Sequence, residues 1–265
     1  LSTRDVVARA IATEILEGKG TKNGGVHLDV THLPRSQIES RLPVMLEQFL
    51  KFGIDIRDVP MEVAPTAHHI MGGLRITTRG ETTLPCLYAC GEVSGGVHGA
   101  NRLGGNALAE TQVFGKRAGE AAGRVKERKK AADQKMIEDA EQRISSFNQG
   151  DVAPSAIVRS LQTTMWEGAG IFRNGPDLQK TLGIIRHLQT LHPKAASPAN
   201  FAECCILQNM LTTASLVVRS ALLRKESRGA HLRRDISQNW DPEHSPYGHT
   251  YLSLSREGIE TRAVT

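Results

Sequence analysis

Residues 91–110, GEVSGGVHGANRLGGNALAE, hold six glycines in twenty positions, and this stretch limits the fold more than any other. Glycine-rich chain is used where the backbone takes left-handed dihedrals or comes close to another group. Three uses are open to such a loop. Phosphate binding is the first, but the sequence has no G-x-x-x-x-G-K-[ST] run and no G-x-G-x-x-G between a strand and a helix. The second is a structural crossover. The third is a wrap around a flat cofactor. Here a strand, Gly91–Glu92, a loop, Gly104–Gly105–Asn106 and a helix follow in order. A helix starting near Asn106 turns free N–H groups and the positive end of its dipole toward whatever precedes it. Negative charge on a ring edge, such as the N1–C2 carbonyl edge of a reduced flavin, is stabilised there. Glu92 offers an acceptor for ribityl hydroxyls, or else lies in water as a loop carboxylate. The residues alone leave these two readings open.

Bulk properties narrow the class. A chain of 265 residues with 39% hydrophobic content can build a core in one or two domains. Aromatics are only 4%, so aliphatic side chains must fill that core. No apolar run approaches the roughly 18–20 residues of a membrane-spanning helix. The opening LSTRDVVARA carries Arg4, Asp5 and Arg9 and has no initiator Met, so it reads as the start of a fragment or processed chain rather than a signal peptide. The net charge of +5 is mixed along the chain except at RVKERKK, 124–130. Without interleaved aromatics or a nucleic-acid fold signature, that run reads as a solvated helix face, and no nucleic-acid partner is expected. Cys86, Cys90, Cys204 and Cys205 have no zinc-ligand spacing and read as buried free thiols in a reducing compartment.

Patterning along the chain is α+β. Residues 3–17 form an amphipathic helix capped by Ser2 or Thr3 and stopped by Gly18 and Gly20. Val26–Leu33 alternates as a strand, and Ser36 opens a helix over 37–52 that Gly53 ends. After Met61–Val63 and PTAHHIMGG come a strand at 74–78, a turn at Arg79–Gly80 and a short buried strand at Leu87–Cys90. A long helix runs over 108–130, and helical patterns fill 131–227. Trp166 and Phe172 read as core anchors there. Arg228, His231 and Asp235 read as a helix-terminal ion-pair network or a contact with a partner protein. The tail after Gly229 is polar, with weak alternation at 249–255.

Several segments carry a resemblance. LSTRDVVARAI, PTAHHIMGG, LYACGEVSGGVHGANRLGGNALAE and FGKRAGEAA closely resemble the flavoprotein subunit of succinate dehydrogenase and fumarate reductase. TTMWEGAGIFRN and KESRGAHLRRD resemble that family's helical C-terminal domain. The resemblance covers nearly the whole chain. It implies the C-terminal part of a FAD-dependent fumarate reductase/succinate dehydrogenase flavoprotein fold. Residues 1–60 are then the end of the capping domain, 61–130 the second half of the flavin domain, 131–230 the helical domain and 231–265 an irregular tail. The family's strand–Gly-x-Gly–helix unit is absent from this sequence, as are the first part of the capping domain and the histidine that attaches flavin covalently in some members. L-aspartate oxidase, a relative, usually has Ala-Ser where Gly104–Gly105 stand, which favours the fumarate/succinate branch.

The resemblance also assigns roles. It implies FAD as cofactor, held through Glu92, Asn106, Ala107 and Leu108. Ala107 departs from the family's usual serine, removing one hydroxyl near the flavin while main-chain contacts survive. A C4 dicarboxylate needs two anion anchors, and the resemblance supplies Arg102, a planar fork, and His68, a ring donor. His68 rather than His69 follows Pro-Thr-x, the family's pattern. His69 packs or faces the flavin region, and His98 and Asn101 shape the loop. Proton delivery falls to Arg4, in a relay because a guanidinium pKa lies far above that of an ordinary general acid. Expected partners are fumarate or succinate, the N-terminal FAD-binding half and an iron–sulfur subunit. The expected location is cytoplasmic, peripheral at the inner face of the membrane through partner subunits. An L-aspartate oxidase-like activity and a non-catalytic interaction domain are the alternatives.

Overall fold

The computed structural model describes residues 3–126, 133–236, 249–255 and 258–264, with backbone only for the last two stretches. The chain divides into two units, Leu1–His68 and His69–Thr265.

The first unit opens on α1, Arg4–Leu16, with Thr3 at the N-cap and Asp5 in the first turn, where its charge suits the helix dipole. Asp5 pairs with Arg9 one turn on. No Thr3 side-chain cap forms. The stop is as expected: Gly18 takes φ +77°, its N–H donates to Ile15 O at 3.1 Å, and Lys19 N–H donates to Glu14 O at 2.9 Å. This double bond pattern is a Schellman closure, and glycine permits it. Strand β1, Val26–Leu28, pairs antiparallel with β2, Met61–Val63. It is shorter than the expected 26–33, because Asp29 Oδ1 accepts from Thr31 N–H at 2.8 Å and turns the chain. The single helix expected over 37–52 is two, α2 (Arg35–Arg41) and α3 (Pro43–Leu50). Pro43 lacks the N–H to continue α2, so Leu42 leaves helical geometry at φ −127° and Pro43 starts a new helix. Ile38, Leu46, Ile56 and Met61 are buried together as the small core.

In the second unit, β3 (Leu74–Arg75) pairs in parallel with β4 (Ser94–Gly95), which follows a 3₁₀ turn at Gly91–Val93. The expected strand at Leu87–Cys90 does not form; Tyr88 makes only an isolated bridge to Glu81, and Leu87 is exposed. Helix α4 spans Asn106–Gly123, so Arg124–Lys126 lie beyond it, exposed, and the rest of the basic run lies outside the described residues. Helix α5, Gln134–Ser146, is capped by Asp133. Then α6 (Pro154–Ala169), α7 (Gly175–Thr190) and α8 (Pro198–Leu223) pack together. Leu207, Leu211, Ala214 and Val218 on α8 meet Ile157 and Leu161 of α6 and Leu178, Leu182 and Ile185 of α7. Spaced three or four residues apart, the α8 positions form one buried helical stripe. By length and composition α8 is the one helix among the described residues apolar enough to cross a membrane, against the expectation of no such run. Its buried stripe serves the core of this bundle.

Several expectations need correction. Trp166 is 53% exposed and anchors no core, while Phe172 is half-buried under the Arg234 guanidinium, 3.4 Å from its ring centre. Cys204 is buried, but Cys86 is exposed, and the others are intermediate. The weak alternation at 249–255 is β5, His249–Ser255, paired antiparallel with β6, Gly258–Val264, so this part of the tail is not irregular.

Residues 224–235, together with Arg173, gather three helix ends. Arg233 donates to Ala221 O at the end of α8 (3.0 Å). Arg173 donates to Ala169 O and Gly170 O at the end of α6 (3.1 and 3.0 Å). Asp235 accepts from Gly175 N–H at the start of α7 (2.8 Å) and pairs with Arg233. The helix-terminal network expected for this segment is therefore built mainly by Arg173 and Arg233. His231 sits within it: Nδ1 accepts from Arg173 (3.0 Å), so Nε2–H donates to Arg224 O (3.2 Å). Burial, then the neighbouring Arg173, push the imidazole down to about 4, and it stays neutral.

The α6–α7 contact leaves no slack at Gly168, where an added Cβ would stand 1.9 Å from Thr181 Oγ1. Thr181 is buried and β-branched, so it cannot swing aside. Gly168→Ala is expected to cost about 1–3 kcal/mol of stability, measured as a fall in Tm. Adding Thr181→Ala removes the obstructing hydroxyl and should restore part of the loss; an unchanged Tm in the single variant would show that the helices can separate freely.

Candidate functional site

Each unit carries part of the chemistry expected from the sequence. In the first, the fold brings Arg4 and His68 together across 64 positions of sequence. Arg4 Nη1 lies 3.4 Å from His68 Nε2, and His68 Nδ1 lies 3.4 Å from Thr66 O. A guanidinium only donates, so Nε2 accepts in the neutral ring, which puts the ring proton on Nδ1, facing the Thr66 carbonyl. Both side chains are exposed.

In the second unit, Glu92 ties PTAHHIMGG to the glycine-rich loop. Its Oε1 accepts from Ile70 N–H at 2.9 Å, and its Oε2 lies 3.6 Å from His69 Nδ1. The carboxylate is half open to solvent and keeps acceptor capacity. Beneath it the two segments meet backbone to backbone. A Cβ on Gly73 would lie 2.2 Å from Val93 O, and one on Gly95 2.9 Å from Gly73 N, so only glycine lets β3 and β4 meet. His69 packs edge-to-face on His98, with ring centres 5.5 Å apart. Burial holds the His98 imidazole below its ordinary value, helped by His69 and Arg102 and opposed by Glu110. Arg102 is half-buried.

Glu110 is a site residue that sequence reasoning missed. It is 5% exposed, and its Oε1 accepts from Gly91 N–H at 3.0 Å. Its Oε2, with His69 Nε2 and His98 Nε2, is buried with no hydrogen-bond partner. The signal for Glu110 was slight: one acidic residue a turn inside a helix, after Ala107–Leu108–Ala109 and before Thr111 and Gln112.

The head of α4 fits a flat anionic ligand. Gly105 caps it at φ +83°; Asn106 N–H donates to Leu103 O at 3.2 Å, and the N–H groups of Ala107 and Leu108 have no earlier helical turn to serve. Leu103 and Leu108 flank it at 73% and 77% exposure, while Ala107 is half-buried. Gly104 is the telling position. A Cβ there would meet nothing within 4 Å, and its φ lies outside the left-handed region. Among the described residues neither packing nor conformation requires glycine there, so the backbone at the head of α4 is open. Glu92, Asn106, Ala107 and Leu108 lie on one unit, and Leu103 and Leu108 leave an open apolar surface at the head of α4. The described residues hold no cluster of three or more His, Cys, Asp or Glu able to bind a metal.

Comparisons with known proteins bear on the family and the fold. Residues 1–108 match the family model described as FAD binding domain, and residues 158–264 that described as Fumarate reductase flavoprotein C-term. The chain is 51% identical to one of the subunits of the fumarate reductase (CoM/CoB) of Methanothermobacter marburgensis, over 97% of this chain and 48% of that protein. It is 35% identical to a mitochondrial succinate dehydrogenase flavoprotein of Xenopus laevis, over 91% of this chain and 40% of that one. Among solved structures, a quinol–fumarate reductase with menaquinol molecules superposes at a TM-score of 0.87 with 32% identity, over 99% of this chain and 49% of its own. The chain spans about half the length of the relatives it matches.

Proposed function

Since the chain belongs to the fumarate reductase/succinate dehydrogenase flavoprotein family, as its C-terminal part and with that family's α+β fold, we propose that it interconverts fumarate and succinate within the complete flavoprotein. We assign residues 1–60 to the end of the capping domain, 61–130 to the flavin domain and 131–230 to the helical domain, with 231–265 as a tail. FAD, when bound, supplies hydride exchange at its N5. Glu92 is the acceptor for its ribityl hydroxyls, and the main chain of Asn106, Ala107 and Leu108 faces its negative ring edge. Main-chain donors make the hydroxyl missing at Ala107 dispensable.

Arg102 and His68 bind the substrate carboxylates. Arg4 hands a proton to the alkene carbon opposite the one that receives hydride, and its positive charge stabilises the carbanion character that develops there. The observation that carries this reading is the Arg4–His68 pair. Two nitrogen groups able to donate to an anion meet 3.4 Å apart at an exposed position. A carboxylate there accepts from the guanidinium and from the imidazole in the tautomer that carries its proton on Nε2. Attachment to a membrane comes through partner subunits, one of them an iron–sulfur protein, and the chain faces the cytoplasm. The family's frequent assembly into larger complexes supports that part.

The test is fumarate-dependent reoxidation of the reduced complete flavoprotein, followed by flavin absorbance. Reoxidation by fumarate, with reduction of the oxidised flavin by succinate but not by L-aspartate, supports the reading; failure of fumarate overturns it. A second expectation concerns these 265 residues alone. They hold no glycine-rich pyrophosphate cradle, so FAD should bind them more weakly than about micromolar. Isothermal titration decides this, and a micromolar or tighter complex would show that a pyrophosphate site exists within this sequence.

A further inference from the structure

The loop that carries Arg102 is held from outside the flavin region. Ala100, two residues before Arg102, offers its carbonyl to Ala230 N–H at 3.1 Å. Beside that bond Gly229 lies against the same peptide: an added Cβ would stand 2.3 Å from Ala100 O and 2.8 Å from Ala100 Cβ. Gly229 also takes φ +55°, a conformation that side chains disfavour. The turn that presents Gly229 and Ala230 is itself rigid. Arg228 N–H donates to His231 O at 2.8 Å and His231 N–H to Arg228 O at 3.0 Å. His231 is fixed in one tautomer between Arg173 and Arg224 O. Next to it, Arg173 N–H donates to Leu232 O at 3.1 Å and Arg234 N–H to Arg173 O at 2.8 Å, so the turn is zipped to the α6–α7 connection.

We infer that Gly229 is a positioning residue: through Ala100 it sets where Arg102 stands, and so couples the helical bundle to carboxylate binding. The inference rests on the proposed role of Arg102 as a substrate anchor. A six-glycine loop has little stiffness of its own, and a planar guanidinium fork grips a carboxylate only when its orientation is held. The backbone contact at Ala100 supplies that constraint without placing any side chain at the site.

The test uses the complete holoprotein with FAD and two readouts, hydrogen exchange of residues 98–103 and malonate affinity from the flavin absorbance change. Gly229→Ala should speed exchange in that segment by on the order of tenfold and weaken malonate by roughly tenfold. Gly229→Asn separates two causes. Asparagine tolerates the left-handed conformation better than alanine, yet it adds the same Cβ, so it should fail alike if the close approach to Ala100 matters. Leu207→Ala, a buried α8 change that lowers Tm without touching the loop, should leave both readouts unchanged. Unchanged exchange in Gly229→Ala overturns the inference. So does faster exchange with unchanged malonate affinity, provided Arg102→Ala weakens malonate. If Arg102→Ala itself leaves malonate affinity intact, the anchor reading fails, and the binding role of Gly229 fails with it whatever the exchange shows.

Discussion

Arg4→Lys is expected to lower kcat for fumarate reduction by about a hundredfold or more, since misplacing a reacting group by an ångström has that scale of effect. Malonate affinity should stay within a fewfold. The two effects separate because lysine keeps the charge but loses the planar fork and carries its donors on a different stem. Arg4 reaches His68 through Nη1 at 3.4 Å, a contact an ammonium on a shorter path cannot reproduce while also facing the alkene. Proton delivery must meet hydride transfer at the opposite carbon, so a displaced donor slows chemistry even when His68 and Arg102 still hold the carboxylates. A large fall in kcat with little change in inhibitor binding is the pattern of an interaction made only in the transition state. Parallel collapse of malonate affinity would make Arg4 an anchor instead. No change in either would reduce it to the first residue of α1.

Arg102→Ala removes the proposed carboxylate anchor. A charge-assisted pair whose partner stays buried typically costs about 2–5 kcal/mol to break, so kcat/KM for fumarate should fall at least roughly ten- to a hundredfold. Malonate should weaken with it, in contrast to Arg4→Lys, because an anchor acts on bound substrate as well as on the transition state. Arg102 is half-buried and adds slightly to what burial and then His69 do in holding the His98 imidazole below its ordinary value. Its loss should therefore also let His98 take up a proton more readily, which an NMR titration of that ring can follow. Steady-state constants equal to the parent's would mean that the guanidinium serves only the loop.

The sequence made local structure legible where few residue types fit. The start of α4 and the Gly18 helix stop both follow from residues whose physics allows few alternatives. The helical bundle was legible for a similar reason, as the α8 stripe repeats at helical spacing. Local interruptions were misread. Pro43 splits a helix, and Asp29 ends a strand early through a single side-chain bond to Thr31. Leu87–Cys90 has strand composition, yet among the described residues it finds only a one-residue bridge, since strand propensity counts only where a partner lies alongside. Trp166 has the bulk of a core residue yet is 53% exposed, since a helix decides burial by face rather than by bulk. Glu110 and Gly229 stayed invisible because their roles depend on main-chain atoms far away in sequence: the N–H of Gly91 and the carbonyl of Ala100.

The meeting of β3 and β4 at Gly73 has an evolutionary corollary. A Cβ there would stand 2.2 Å from the Val93 carbonyl oxygen, and every other amino acid has one. A single-base change in a glycine codon is silent, ends the chain or introduces a side chain. No missense step from that codon is neutral, and a lineage cannot drift through alanine as it can at most surface positions. Charged residues of the site can in principle be exchanged while a partner compensates. Here the obstructing atom is peptide backbone, which no point mutation removes. Variation among descendants of this gene should therefore be purged at the codon of a residue that contributes no functional group at all.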